Sequence, residues 1–183
     1  MSIKITQATE DDIPEIAHIH IEGWRGAYGG IVDSAYLDSL DVKERQKQWE
    51  EWFDEQNSPV LMGYIDDNPA GFVNFGKLRT PPPGMSPIRP LYSGEIYAIY
   101  LLPEFYRKGL GTALLKAAVR GLEEMRHKSM CLWVLEKNKR AGLFYKHLGG
   151  ERCGKKMITV GPSEAREICY GWRDTNILMP DSQ

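Results

Sequence analysis

Apolar residues recur along the chain at two periods. Ile3 and Ile5 flank Lys4 in strand-like alternation, and Thr9 with Asp12 three residues on marks a helix start. The apolar face of that helix is Ile13, Ile16, Ala17, His20 and Trp24, and Gly26, Gly29 and Gly30 are expected to break it. Asp41 followed by Glu44 opens a second helix, with Arg45, Trp49, Trp52 and Phe53 at helical spacing. Beyond Ser58 and Pro59, Val60, Met62 and Tyr64 alternate, Asp66, Asp67, Asn68 and Pro69 make a turn, and residues 72–75 resume an extended run. This pattern predicts a hairpin.

Residues 80–93 carry five of the eleven prolines, which excludes regular structure and predicts a long loop. Residues 95–102 then read as an apolar, aromatic-rich strand ended by Pro103. After Gly109, Leu110 and Gly111, the residues Leu114, Leu115, Ala118, Val119 and Leu122 recur at helical period, and residues 130–135 form a further strand. Strand, crossover helix and strand are the parts of a parallel βαβ unit. Asn138 is placed to cap the next helix, whose face is Ala141, Phe144, Tyr145 and Leu148 and which Gly149 and Gly150 stop. Residues 155–160 and 167–172, around Gly161, Pro162 and Ser163, predict a closing hairpin. Residues 1–173 are thus expected to be a single α/β domain with 80–93 as an insertion in it, and 174–183 a loose tail.

Composition narrows the function. Lys and Arg number 23 against 25 Asp and Glu, a formal charge of −2 with pI near 6.1, so no global positive field exists to hold a nucleic acid. No apolar run approaches the roughly 20 residues of a membrane helix, and no signal-peptide pattern opens the chain, so a membrane partner is not expected either. Cys131, Cys153 and Cys169 are odd in number without a C-x-x-C spacing, which points to reduced thiols and a cytoplasmic protein. The four His, at 18, 20, 127 and 147, are far from Cys pairs, and no metal is expected.

The chemistry is concentrated in the strand, basic glycine loop and helix start of residues 95–112. Backbone N–H groups around Gly109 and Gly111, at the positive end of a helix dipole, make an anion site with little steric obstruction, and Arg107 and Lys108 adjoin it. A phosphate is the expected guest. The Walker pattern is absent, and the dinucleotide pattern fails because Ala113 and Leu114 follow Gly111 with no third glycine in place.

These residues resemble the GNAT family of acetyl-CoA-dependent N-acetyltransferases. Leu102, Pro103, Glu104 and Phe105 leading into Lys108, Gly109, Leu110 and Gly111 are similar to its pyrophosphate motif, [QR]-x-x-G-x-[GA], with Tyr106 where Gln or Arg is usual and Arg107 one step later. Residues 136–150, with Asn138 before a helix carrying Phe144 and Tyr145, are similar to its second signature. The resemblance implies an acyl-CoA N-acyltransferase fold, a mixed central sheet flanked by helices, and transfer of acetyl from acetyl-CoA to a primary amine of a small molecule or protein. A noncatalytic acyl-CoA sensor is the alternative, and a homodimer stays open.

The resemblance assigns acetyl-CoA to Ile99, Tyr100, Leu101, Arg107, Lys108, Gly109, Leu110, Gly111, Thr112 and Asn138. It makes Tyr145 the acid that protonates the departing thiolate, although spacing alone reads it as a core aromatic. An alkylammonium acceptor must lose a proton before it attacks a thioester, so a base is required. Glu95 is the candidate, expected on the face of Tyr97 and Ile99; an exposed carboxylate at a strand end is the competing reading. His18 and His20 are weaker candidates, His20 lying on an apolar face. Trp24, Tyr28 and Tyr36 are expected either to line the acceptor pocket or to pack the core. Lys137, Lys139 and Arg140 either meet CoA phosphates or form a solvated helix start.

Overall fold

In the computed structural model, which describes residues 1–56, 58–83 and 91–179, the order is β1 (Ile3–Gln7), α1 (Ile13–Tyr28), α2 (Ser34–Ser39), α3 (Val42–Gln56), β2 (Val60–Ile65), β3 (Asn68–Lys77), β4 (Gly94–Leu101), α4 (Leu110–Glu124), β5 (Met130–Leu135), α5 (Lys139–His147), β6 (Glu151–Val160) and β7 (Ser163–Trp172). The seven strands form a mixed sheet in the order β1-β2-β3-β4-β5-β7-β6. Among the described residues no helix is long and apolar enough to cross a membrane. The chain gathers into two compact units, residues 1–74 with 98–118 and the described residues of 75–97 with 119–183.

In the first unit β1, β2 and β3 are antiparallel neighbours. Asp66 and Asp67 both take left-handed backbone, φ 48° and 62°, which matches the twist a two-residue hairpin needs. Thr9 and Asp12 form a capping box on a short 3-10 turn that runs into α1, and Pro14 sits in the first turn of the helix. The buried face of α1 is the expected one: Ile13, Ile16, Ala17 and His20 pack in a core with Trp49, Met62 and Phe72. Asp41 receives the Glu44 N–H at 2.9 Å, and α3 follows. Periodicity missed α2, a single short helix capped by Asp33 on the Tyr36 N–H.

One expectation fails here. Gly26 does not break α1, which continues to Tyr28 and ends at Gly29. A Cβ on Gly26 would stand 2.5 Å from Pro103 Cγ and 3.0 Å from the Tyr106 hydroxyl. The glycine therefore serves a close approach and not a stop.

In the second unit Gly94, Glu95 and Ile96 of β4 pair parallel with Met130, Cys131 and Leu132 of β5, and β7 pairs antiparallel with both β5 and β6. Asn138 accepts the Ala141 N–H at 3.1 Å and caps α5, and Gly149, at φ 83°, follows its end. The expected loose tail is docked over part of its length. Thr175–Leu178 is a 3-10 turn with Thr175 and Leu178 buried, and the Thr175 N–H donates to Lys128 O at 3.0 Å. Residues 180–183 lie outside the described residues, as do 84–90 of the proline-rich insertion.

Because Pro103 cannot yield easily, Gly26→Ala is expected to cost about 1–3 kcal/mol, at roughly 2–4 °C of Tm per kcal/mol. Calorimetric melting of the variant beside wild type checks this; an unchanged Tm would mean that Pro103 and Tyr106 do not pack on α1.

Candidate active site

The glycine loop lies in the first unit. Arg107 and Gly109 both take left-handed backbone, φ 61° and 83°, and Lys108 lies between them. Such alternation turns successive N–H groups toward one side, and α4 begins immediately afterwards. The first intrahelical bond is Ala113 N–H to Gly109 O, 3.1 Å, so the N–H groups of Leu110, Gly111 and Thr112 precede it as the open first turn. Nothing but Ile3 Cδ1, at 3.7 Å, would meet a Cβ on Gly109, and Arg107, Lys108 and Gly109 are exposed. The Lys108 ammonium lies over the Phe105 ring at 5.1 Å. Arg107 carries the strain that a non-glycine residue pays at positive φ, of order 1 kcal/mol. Tyr106, in the place usual for Gln or Arg, turns its hydroxyl toward α1 at Gly26.

Strand β4 pairs with β5 over Gly94, Glu95 and Ile96 and continues to Leu101. Tyr100 packs under α1: its ring stacks on His20 at 4.8 Å and its hydroxyl lies 3.3 Å from that of Tyr28. Tyr28 is itself buried and stands edge-on to Trp24 at 5.0 Å. His20 accepts the Trp49 indole N–H on Nδ1 at 3.1 Å, and burial, with the Arg45 charge as the smaller cause, lowers its pKa to about 3. It is a neutral core histidine, whereas His18 is exposed on the opposite face of α1. Tyr36 is half-buried.

Glu95, Asn138 and Tyr145 belong to the second unit. Glu95 is not the exposed carboxylate of the competing reading: it is 4% exposed, and its Oε2 accepts the N–H groups of Arg79 and Thr80, each at 2.7 Å. Around it the Tyr97 hydroxyl donates to Lys77 O, the Trp133 indole donates to Thr80 O at 2.9 Å, and the Arg79 guanidinium lies 3.8 Å from the centre of the Tyr97 ring. Residues 77–80 are thereby strapped to the sheet by three side chains. No local sequence signal announces this strap, because its partners are 15 to 53 residues away.

On α5, Asn138 is buried with Oδ1 committed to the cap, and Tyr145 is buried with its ring against Phe144, Tyr170 and Trp172. Lys137, Lys139 and Arg140 are exposed around the start of the helix. The first unit thus holds the loop of residues 107–112 with Ile99, Tyr100 and Leu101, and the second holds the three remaining candidates.

A sequence model of the acetyltransferase (GNAT) family matches residues 17–149. The N-acetyltransferase YuaI of Bacillus subtilis is 33% identical over 96% of both chains. The chain belongs to the GNAT acetyltransferase family. A second N-acetyltransferase, from Archaeoglobus fulgidus, is 30% identical over 78% of this chain and 89% of its own. In fold the GNAT chain is similar to the PaiA N-acetyltransferase of Thermoplasma acidophilum, crystallised with coenzyme A, with a TM-score of 0.69 at 20% identity over 93% of this chain and 98% of that one.

His20 gives this GNAT chain a pH-dependent stability. Between pH 6.5 and about 3 the unfolded chain binds a proton at His20 that the native state does not, so stability falls as pH falls through that window and is unaffected by His20 above it. The loss is on the order of several kcal/mol if burial persists. Urea titrations between pH 7 and 4 should show it, with a shallower slope in His20→Gln; equal slopes would mean that another group sets the acid sensitivity.

Proposed function

We propose that this GNAT chain transfers an acetyl group from acetyl-CoA to an amine of a small molecule or protein, with the pyrophosphate of acetyl-CoA on the loop of residues 107–112. The observation that carries the reading is the pair of left-handed residues, Arg107 and Gly109, opening an exposed helix start. Open N–H groups, a helix dipole and two adjacent cations fit an anion of that kind. Ile99, Tyr100 and Leu101 serve through their backbone, since the Tyr100 ring is committed to His20 and Tyr28. Asn138 shapes the start of α5 through its cap. Tyr145 is the proton donor to the thiolate. Glu95 acts first by holding residues 79 and 80 through Oε2; any proton it accepts from the amine passes through water. A cytoplasmic setting is part of this reading, supported by three cysteines outside any disulfide.

Acetyl-CoA at about a hundredfold excess over Kd should stabilise the chain by roughly 2.7 kcal/mol through linkage. Gly109→Glu should remove most of that shift, because it adds a like charge and a Cβ at positive φ. No binding by calorimetry at millimolar acetyl-CoA would overturn the reading, whereas binding without thiol release across a broad amine panel would favour the noncatalytic sensor.

Tyr145→Phe keeps the apolar packing and removes the hydroxyl. Single-turnover transfer should slow by about 10²-fold, the low end for general-acid help, since a thiolate already leaves tolerably. Unchanged transfer with unchanged acetyl-CoA affinity would return Tyr145 to the core. For Glu95→Gln, a pH–rate profile of unchanged shape supports the strap role alone, and a loss concentrated at low pH supports proton acceptance.

A further inference from the structure

The proposed acyl transfer uses none of the three cysteines, and they meet in the second unit. Cys131 on β5 and Cys169 on β7 form a buried cluster with Tyr92, against which Cys153 of β6, Leu78 and Trp133 pack. The strand register brings them together. Cys169 is opposite Trp133 and Cys131 opposite Gly171, which makes the two cysteines diagonal neighbours on one face. On the other flank of β7 the ladder shifts between Arg152 and Gly154, where Gly154 pairs with Cys169, so Cys153 is the extra residue of a bulge beside Cys169. Cys153 thus packs beside Cys169, which itself packs against Cys131. Cys131 and Cys169 are fully buried, Cys153 is partly exposed, and all three are free.

The surroundings give the paired thiols different characters. The adjacent Cys169 thiol, the Tyr92 hydroxyl and the Arg173 charge lower the Cys153 thiol to about 7 against the opposing effect of burial. The neighbouring Cys131 and Cys153 thiols, together with burial, push Cys169 up, so it keeps its proton.

We propose that Cys153 is a hydroperoxide-reactive thiolate and that Cys169 resolves its oxidised form as a cross-strand disulfide. In the first step Cys153 Sγ attacks a peroxide oxygen, the O–O bond breaks and the leaving hydroxide takes a proton to become water. Sulfur is oxidised to the sulfenic acid as the peroxide is reduced. In the second step Cys169 Sγ gives up its proton and attacks Cys153 Sγ, the S–S bond forms, the S–O bond breaks and a second water leaves. Two thiols and one peroxide thus yield one disulfide and two waters. The bulge is the enabling feature, because it seats one accessible and one buried thiol side by side on adjacent strands.

The test uses the full chain, reduced, freed of reductant and exposed to hydrogen peroxide. The expected result is an intact mass lower by two hydrogens, restored by dithiothreitol, with peptide mapping joining Cys153 to Cys169. Cys153→Ser should abolish the mass loss. Cys169→Ala should instead stop at a sulfenic acid that dimedone traps on Cys153, and Cys131→Ser should leave the linkage intact. Far-UV circular dichroism verifies that each variant is folded, and the wild-type mapping stands without them. A wild-type chain that keeps both hydrogens, or that joins Cys131 to Cys169, overturns the proposal.

Discussion

Positive φ at Arg107 and Gly109 is the constraint on which the candidate site depends. The segment after Pro103 has to turn into α4 within a few residues, and left-handed backbone is what makes so short a turn possible. The N–H groups of Leu110, Gly111 and Thr112, in the first turn of α4, precede its first intrahelical bond at Ala113. In the proposed function an anion is the acceptor for these N–H groups, and the steric solution doubles as a binding site. Behind the helix start, Leu110, Leu114 and Leu115 are fully buried, so the open end stands on a rigid support.

Elsewhere, buried polar groups take their roles from what they touch. A glutamate on the strand that precedes the glycine loop in sequence invites a catalytic assignment, but Glu95 spends Oε2 on two backbone N–H groups that a strap leaving the sheet would otherwise leave unmet. His20 likewise sits on the first helix where an acid–base residue would be convenient, yet Trp49, Phe72 and Tyr100 surround it and keep it neutral. In both cases burial and hydrogen bonding, not residue type, decide the chemistry available.

Much of the architecture follows from local patterns in the amino-acid sequence. The caps at Thr9, Asp41 and Asn138, the Asp66 and Asp67 turn, the 130–135 strand and the buried leucines of α4 are all legible, because each depends on residues within a turn or two of one another. The glycine loop is legible for the same reason. Local pattern makes Gly26 a stop because the reason for the glycine, Pro103, is 77 positions away, and the docking of Thr175 on Lys128 is equally invisible to it. Only the tertiary structure decides which side chains hold residues 77–80 and that the thiols at 131, 153 and 169 meet. Those outcomes rest on strand register and on a bulge between distant segments, and register is set by the packing of whole faces rather than by any local run of residues.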